Sequence, residues 1–512
     1  MATTTILEST LSQTLREELL PSIYERGVIK DPVYSMAKRT WSNVVRNEGI
    51  GRDYKVKKVW GLGLAGGGTF GSPLGSDMKN DPTWSFSAFG TPETWPGYDE
   101  VSAPTFLTSE VQLVKHKLNL FVPRDILQTD RLNSSIGAVM PFYVRGLSKL
   151  ALQQELGAFY STAPTTVALA AIGNTSATVT DVSADTAAIN VDISGASSSL
   201  ATGRIHRLEK GQLIDLYNAA GTVKRNTNFL VYVDNVDYEA QVVRLRRIDG
   251  GELQTTTVLG GGVTYAGAGG DLDIIVLKDS IGFTPGTMEA WVADGSSITT
   301  FFGITVANHG EYKSIKRDLS AAPLTESLLN RYVGYFKESF RDGDLPRAIT
   351  TNGVLLGFID NIDSLVQGGT ESPTTDKGAY PGRFMYERNG RQVTVEAGWD
   401  VFNYRYGGRR IDIHTSTYAE KGRFLAGMFD IDRFVPPPIP GTRMDQRIGD
   451  EMQFLASSGS SAYDSIFTRY DHNGKFSNLL QAPAERKSVM MPRTPNFLLL
   501  HGIAEMAGFD GT

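Results

Sequence analysis

Between two strand-like runs, 54–60 and 110–121, lies a segment, 61–109, rich in Gly, Pro and Ser and without helical or strand periodicity. So long a connection is uncommon inside a compact domain, where it is functional, disordered or ordered by a partner. This one carries Trp84, Phe86, Phe89, Trp95 and Tyr98. Five aromatics hold too much apolar surface for a passive linker, so they are expected to be buried against a neighbouring copy of the chain. The expectation is therefore a hairpin over 54–121 whose tip is an extended loop, with those five residues as intersubunit contacts. Charge offers a partner for it. Residues 61–109 hold one basic residue, Lys79, against five acids, whereas residues 1–60 hold ten Lys/Arg against seven Asp/Glu. An acidic loop and a mildly basic arm could meet between copies; equally, both could be ordinary solvated segments.

Elsewhere the periodicities are more regular. Leu11, Leu15, Leu19 and Ile23 keep helical spacing within an N-terminal arm, 1–53, although Pro21 should kink or break that helix. Over 135–161, Ile136, Val139, Met140, Tyr143, Leu147, Leu150 and Ala151 form one apolar stripe, capped by Asn133, Ser134 or Ser135 and bent at or starting from Pro141. Composition then shifts to Ala, Thr, Ser, Gly, Val and Asp across 163–282. Strand-like runs near 213–217, 229–234, 241–248 and 272–277 are separated there by turn signals at Ala220-Gly221 and 249–251. This is the pattern of a separate all-β module inserted into the main domain.

From 284 the pattern is mixed. A helix is expected over 325–341, with Leu328, Leu329, Tyr332, Phe336 and Phe340 on one face, Thr325 as cap and Gly343 as stop. A strand at 347–351, a helix at 353–364, hairpins turned at Asn389-Gly390 and Gly407-Gly408, and a stiff Pro-rich connector at 436–440 follow. Residues 496–503 read as a buried closing strand. There is no short internal repeat.

Chemistry motifs are absent or fail on context. Gly61, Gly63 and Gly66 match G-x-G-x-x-G, but the glycine-rich continuation cannot propagate the helix that would hold a pyrophosphate, and no acidic residue ends a second strand about 20 residues on. His116, His206, His309, His414, His472 and His501 are scattered, with no metal-ligand spacing. No P-loop, nucleophile elbow or calcium loop is present. The chain has no cysteine, which removes disulfides, thiolate metal sites and cysteine nucleophiles and fits a reducing cytoplasm. With 50 basic and 56 acidic residues the net charge is −6, too nearly balanced to draw the whole protein onto nucleic acid or an acidic membrane. The basic runs Lys55/Lys57/Lys58 and Arg244/Arg246/Arg247 divide between strand faces and read as solvated edges. The start lacks a secretory pattern, and no apolar run is long enough to span a bilayer. No enzyme activity, cofactor or metal is expected.

In order, these features resemble the major capsid proteins of tailed bacteriophages, with the Hong Kong 97-type fold. The nearest local likeness is 286–365: Gly286 to Asp294, then Phe302 to Ile304, Leu324 to Leu329 with its helix, the strand from Pro346, and the helix after Asn352. Asn478 to Leu480 and Arg493 to Gly502 resemble the closing segments. The resemblance implies an α+β capsid fold: an N-terminal arm (1–53), extended-loop hairpin (54–121), spine helix with peripheral domain (122–162), inserted β-rich domain (163–283), axial domain with peripheral strands (284–475) and closing strand (476–512). It implies a structural role without catalysis. Copies would form pentamers and hexamers closing into an icosahedral head around double-stranded DNA, with scaffold, portal and decoration proteins as further partners. Assembly would take place in the host bacterial cytoplasm, and the product would be the virion. An encapsulin-like compartment and a tail or baseplate protein are the alternatives. Some members of the family crosslink the loop through a lysine and an asparagine; Lys79 is the single loop lysine and no partner for it is evident, so crosslinking is not expected.

Overall fold

A computed structural model describes residues 31–40, 42–46, 54–63, 105–123, 154–161, 168–171, 179–181, 188–193, 205–218, 220–251, 253, 274–281, 287–340, 345–367, 383–388, 391–397, 401–406, 409–436, 453–454, 468–472 and 475–506. They form a mixed α/β structure dominated by sheet.

The largest sheet has eight strands. In spatial order these are Ile315–Ala322, Leu498–Ile503, Phe424–Gly427, Arg347–Thr350, Arg409–Thr415, Val401–Tyr406, Arg391–Ala397 and Arg383–Arg388. Two helices, Glu326–Ser339 and Asn352–Gln367, cover one face. Thr325 starts the first, its hydroxyl oxygen accepting from the Leu328 N–H at 3.3 Å, and Leu329, Val333 and Phe336 recur at helical spacing on the buried side. They pack with Val354 and Phe358 onto Phe402, Tyr404, Ile411, Ile413, Leu498 and Leu500. The other face is buried too: Ile349, Leu425, Phe497 and Leu499 meet Val33, Phe159, Tyr160, Trp291 and Met490. That explains why 497–500 is a continuous apolar run rather than an alternating one, since both sides of the strand exclude water.

A second sheet is organised along one strand, Lys475–Pro492. Ile431–Phe434, Gln453–Phe454, Thr468–His472 and Val114–Pro123 all pair with it, and Ala37–Thr40 adds in parallel outside Ile431–Phe434. Residues 31–46, expected as part of an arm, therefore contribute to the subunit's own core: Val33 is fully buried and Asp31 nearly so.

The seven-stranded third sheet takes every strand from 168–277. Its buried cluster, including Ile189, Val191, Ile214, Leu216, Val231, Val233, Val243, Leu245 and Ile275, draws on no residue outside 189–277. The chain departs after Tyr160 and resumes at Met288 within one apolar cluster, where the Phe159 and Trp291 rings lie 5.0 Å apart.

The single strand expected at 110–121 is not observed. These residues are two strands, Thr105–Gln112 and Val114–Pro123, in different sheets. The break is Leu113, which buries its side chain and donates its N–H to the Tyr54 carbonyl, so the chain changes partners there. Alternation looks unbroken across such a point because strand conformation persists while the neighbour changes. Of the expected 135–161 helix, the structure describes only the end, where 154–159 is helical.

Candidate functional site

The candidate is a β-ribbon, Tyr54–Gly63 against Thr105–Gln112, paired from Lys55↔Gln112 to Gly63↔Thr105. Val44–Arg46 adds a third strand only at the base, opposite Tyr54 to Val56. Beyond it, among the described residues, the ribbon is two strands wide. Gly61 and Gly63 of the dinucleotide-like motif are ladder residues here, opposite Leu107 and Thr105, and Gly66 lies outside the described residues.

The base is clamped to the body. The register slips by one residue between Val59 and Gly61, a bulge that re-aims Trp60. Its ring centroid lies 4.9 Å from that of Phe301, 6.1 Å from Phe302 and 6.3 Å from Tyr312. Its indole N–H donates to the Ser109 hydroxyl at 2.6 Å, tying the two strands together. Lys58 sits 3.8 Å from the Trp60 ring centroid and donates to the Pro492 carbonyl at 2.7 Å. Burial pulls the Lys58 ammonium down to about 8, against the opposing pull of Asp432. On the outer surface Lys55 and Lys57 share Glu110 at 2.8 and 3.0 Å, with Lys55 foremost in holding that carboxyl below its ordinary range.

A buried polar junction joins the remaining segments. Asp31 accepts from the Val33 and Tyr34 N–H groups, from the Tyr160 hydroxyl at 3.1 Å and from the Ser416 hydroxyl at 2.7 Å. Arg207, fully buried at the edge of the β module, donates to the Tyr418 carbonyl at 2.9 and 2.8 Å and to the Tyr160 carbonyl at 3.1 Å. Its guanidinium also meets Glu420 at 2.5 Å. One cluster thus links the N-terminal segment, the helix end at 154–160, the module and the 416–420 loop. Nothing in the sequence marks it, because its members come from four separate segments and carry no motif spacing.

The sequence candidates fare unequally. Trp84, Phe86, Phe89, Trp95, Tyr98 and Lys79 lie outside the described residues. The histidines fall in separate elements, and among the described residues no group of three or more His, Asp or Glu could hold a metal. No described helix is long and apolar enough to cross a membrane. The basic runs are paired with acids: Lys55 and Lys57 with Glu110, Arg244 with Asp234 at 3.2 Å, Arg247 with Asp249 at 2.6 Å.

No family profile and no curated protein matches this sequence. Among solved structures, the chain is similar to the Cyanophage A-1(L) capsid asymmetric unit at TM-score 0.36 and 11% identity, covering 93% of this chain and 94% of that one. It is similar to a chain of Gordonia phage Cozz at TM-score 0.32 and 9% identity, covering 92% and 86%. With the holo-SrpI encapsulin complex from Synechococcus elongatus PCC 7942 the likeness is 0.20 at 10% identity, over 40% of this chain and 58% of that one. All of these likenesses are distant.

Proposed function

We propose that this chain is a structural subunit of a closed protein shell of the tailed-phage capsid type. It assembles with copies of itself, as pentamers and hexamers, into an icosahedral head around double-stranded DNA. Scaffold, portal and decoration proteins are its further partners, and the shell is built in the host cytoplasm.

The observation that carries this reading is the ribbon. Two strands alone are at best marginally stable in water. This pair continues past its third strand, with Val59 58% exposed, and is held to the body there by Trp60 and Lys58, with the Ser109 hydroxyl tying the two strands. Such a geometry suits an element held rigid at one end and completed by a neighbour at the other. Residues 64–104, which include Trp84, Phe86, Phe89, Trp95 and Tyr98, connect its two strands. Each contact is modest, but contacts repeated over a closed symmetric lattice reinforce one another. We infer equally that 163–283 is an inserted domain, supported by its private core and by the adjacency of the points where the chain leaves and returns.

The test is to replace 64–104 by Asn-Gly. Gly63 and Thr105 are register partners, and a two-residue turn closes such a pair. A wider deletion, 61–109, would also remove Ser109 and with it the Trp60 hydrogen bond. The trimmed chain is expected to stay folded and soluble but form no closed particles by electron microscopy, whereas the full chain forms shells holding nuclease-protected DNA. Normal shells from the trimmed chain would overturn the assignment of the clasp.

A further inference from the structure

Alternation along Tyr54–Gly63 sends Lys55 and Lys57 to the outer surface, where they share Glu110, and Lys58 to the side that meets the body. There the partly buried Lys58 ammonium donates to the Pro492 carbonyl and lies against the Trp60 ring. Neither partner carries a charge. The two carboxylates that act on it are engaged elsewhere. Arg493 donates to Asp432 at 2.9 and 2.8 Å and pairs with Asp430 at 3.4 Å, while Lys38 stands 3.7 Å from Asp430. Among the described residues, no carboxylate lies at ion-pair distance from Lys58.

Taking a charge out of water is costly unless it is both paired and hydrogen-bonded. The Pro492 carbonyl satisfies one of three ammonium donors, and the indole face adds only a cation–π contact. The other elements packed at this root do not supply the missing charge. Phe301 and Phe302 bring apolar rings, and the Ser109 hydroxyl is taken by the Trp60 indole. The Tyr312 phenol is pushed up by burial and stays neutral, Arg433 turns to Glu155, and Lys487, 5.7 Å from the Tyr54 ring centroid, is another cation. Burial therefore draws the Lys58 ammonium from 10.5 down to about 8, against Asp432 and Asp430 and with the help of Arg493.

We propose that Lys58 couples the packing of the ribbon root to a proton: the charged amine favours opening of the root, and loss of its proton closes it. The contacts to Pro492 and Trp60 position the amine but recover only part of the hydration it gives up. The aromatic cluster of Trp60, Phe301, Phe302 and Tyr312 supplies the opposing pull. When the root opens, the ammonium regains water and binds its proton with ordinary strength. The open root thus holds a proton that the packed root releases. Below about pH 8 both forms are protonated and the packed form bears the full cost; from there towards 10.5 the packed form gains. The coupling is internal to one chain, so it neither needs nor tests assembly into shells.

The test is pulsed hydrogen exchange of the full chain, read by mass spectrometry at pH 7 and pH 9, with each rate divided by the intrinsic rate at that pH. Protection over 54–63 is expected to rise roughly three- to tenfold between the two, tenfold being the full linkage and the lower figure allowing for water that still reaches the amine. Protection over 347–350 should stay within about twofold. Lys58→Met has no proton to lose and Lys58→Arg keeps its charge throughout, so in both the rise should vanish. Arg493→Gln frees Asp432 and Asp430 to stabilise the ammonium, so there the rise should shrink. Protection over 54–63 that is level or falls in the parent would overturn the proposal, as would a rise that survives Lys58→Met. Should Lys58→Met not fold, a rise in Arg493→Gln as large as the parent's would overturn it equally.

Discussion

Replacing Arg207 by Met removes a guanidinium that the fold has taken entirely out of water. Four contacts go with it: two to the Tyr418 carbonyl, one to the Tyr160 carbonyl and the ion pair with Glu420, itself 2% exposed. Breaking a buried pair from one side costs about 3–5 kcal/mol, mostly because the surviving charge stays buried without its counterion. Adding Glu420→Gln removes that charge, so that the remaining cost is that of neutral polar groups, at about 1–3 kcal/mol. The double variant should therefore be more stable than Arg207→Met alone, by about 2 kcal/mol. Urea unfolding followed by tryptophan fluorescence reports on the chain outside 163–282, which contains no tryptophan, with Trp291 fully buried beside Phe159. A single variant within about 1 kcal/mol of the parent, or a double variant no better than the single, would refute the claim that this buried charge pair joins module and core.

Three further outcomes are expected. Burial pushes the Asp31 carboxyl above its ordinary 3.8, outweighing the hydrogen bonds from Ser416, Tyr34, Tyr160 and Val33. The folded chain thus keeps a proton that the unfolded chain releases, and the resulting stability is full below about pH 4 and lost as pH rises through the folded pKa. Asp31→Asn should flatten that decline in a series of melts against pH; a curve parallel to the parent's would count against it. Trp60→Ala, at a half-buried site, should cost roughly 2–3 kcal/mol, less than the ~3–5 for a fully buried aromatic. Hydrogen exchange should accelerate over 54–63 and not over 347–350, and uniform acceleration would argue against a local clamp. Excising 162–286 and joining Ser161 to Thr287 should leave the core's fluorescence and cooperative unfolding intact; an aggregated product would show that the module is not an insertion.

Much of the architecture was legible because single residues declare it. Thr325 caps and Leu329, Phe336 and Phe340 keep helical spacing, so the helix expected at 325–341 is observed at Glu326–Ser339. Asn389-Gly390 and Gly407-Gly408 lie between strands that are in register across them. The expected strands near 213–217, 229–234, 241–248 and 272–277 are Leu213–Tyr217, Val231–Asp237, Val242–Arg247 and Ile274–Leu277. What stayed hidden is what depends on partners distant in sequence. Leu113 looks like any inward strand residue until its neighbours are known. Asp31, Tyr160, Arg207 and Glu420 are individually unremarkable and meet only through folding.

Closure of the chain into shells is the property on which the proposed function depends. Purified full-length protein, examined by sedimentation velocity and negative-stain electron microscopy of the same sample, is expected to yield closed particles of uniform size in equilibrium with capsomer-sized oligomers. A compact monomer persisting at high concentration, with no rings or shells on the grid, would contradict it.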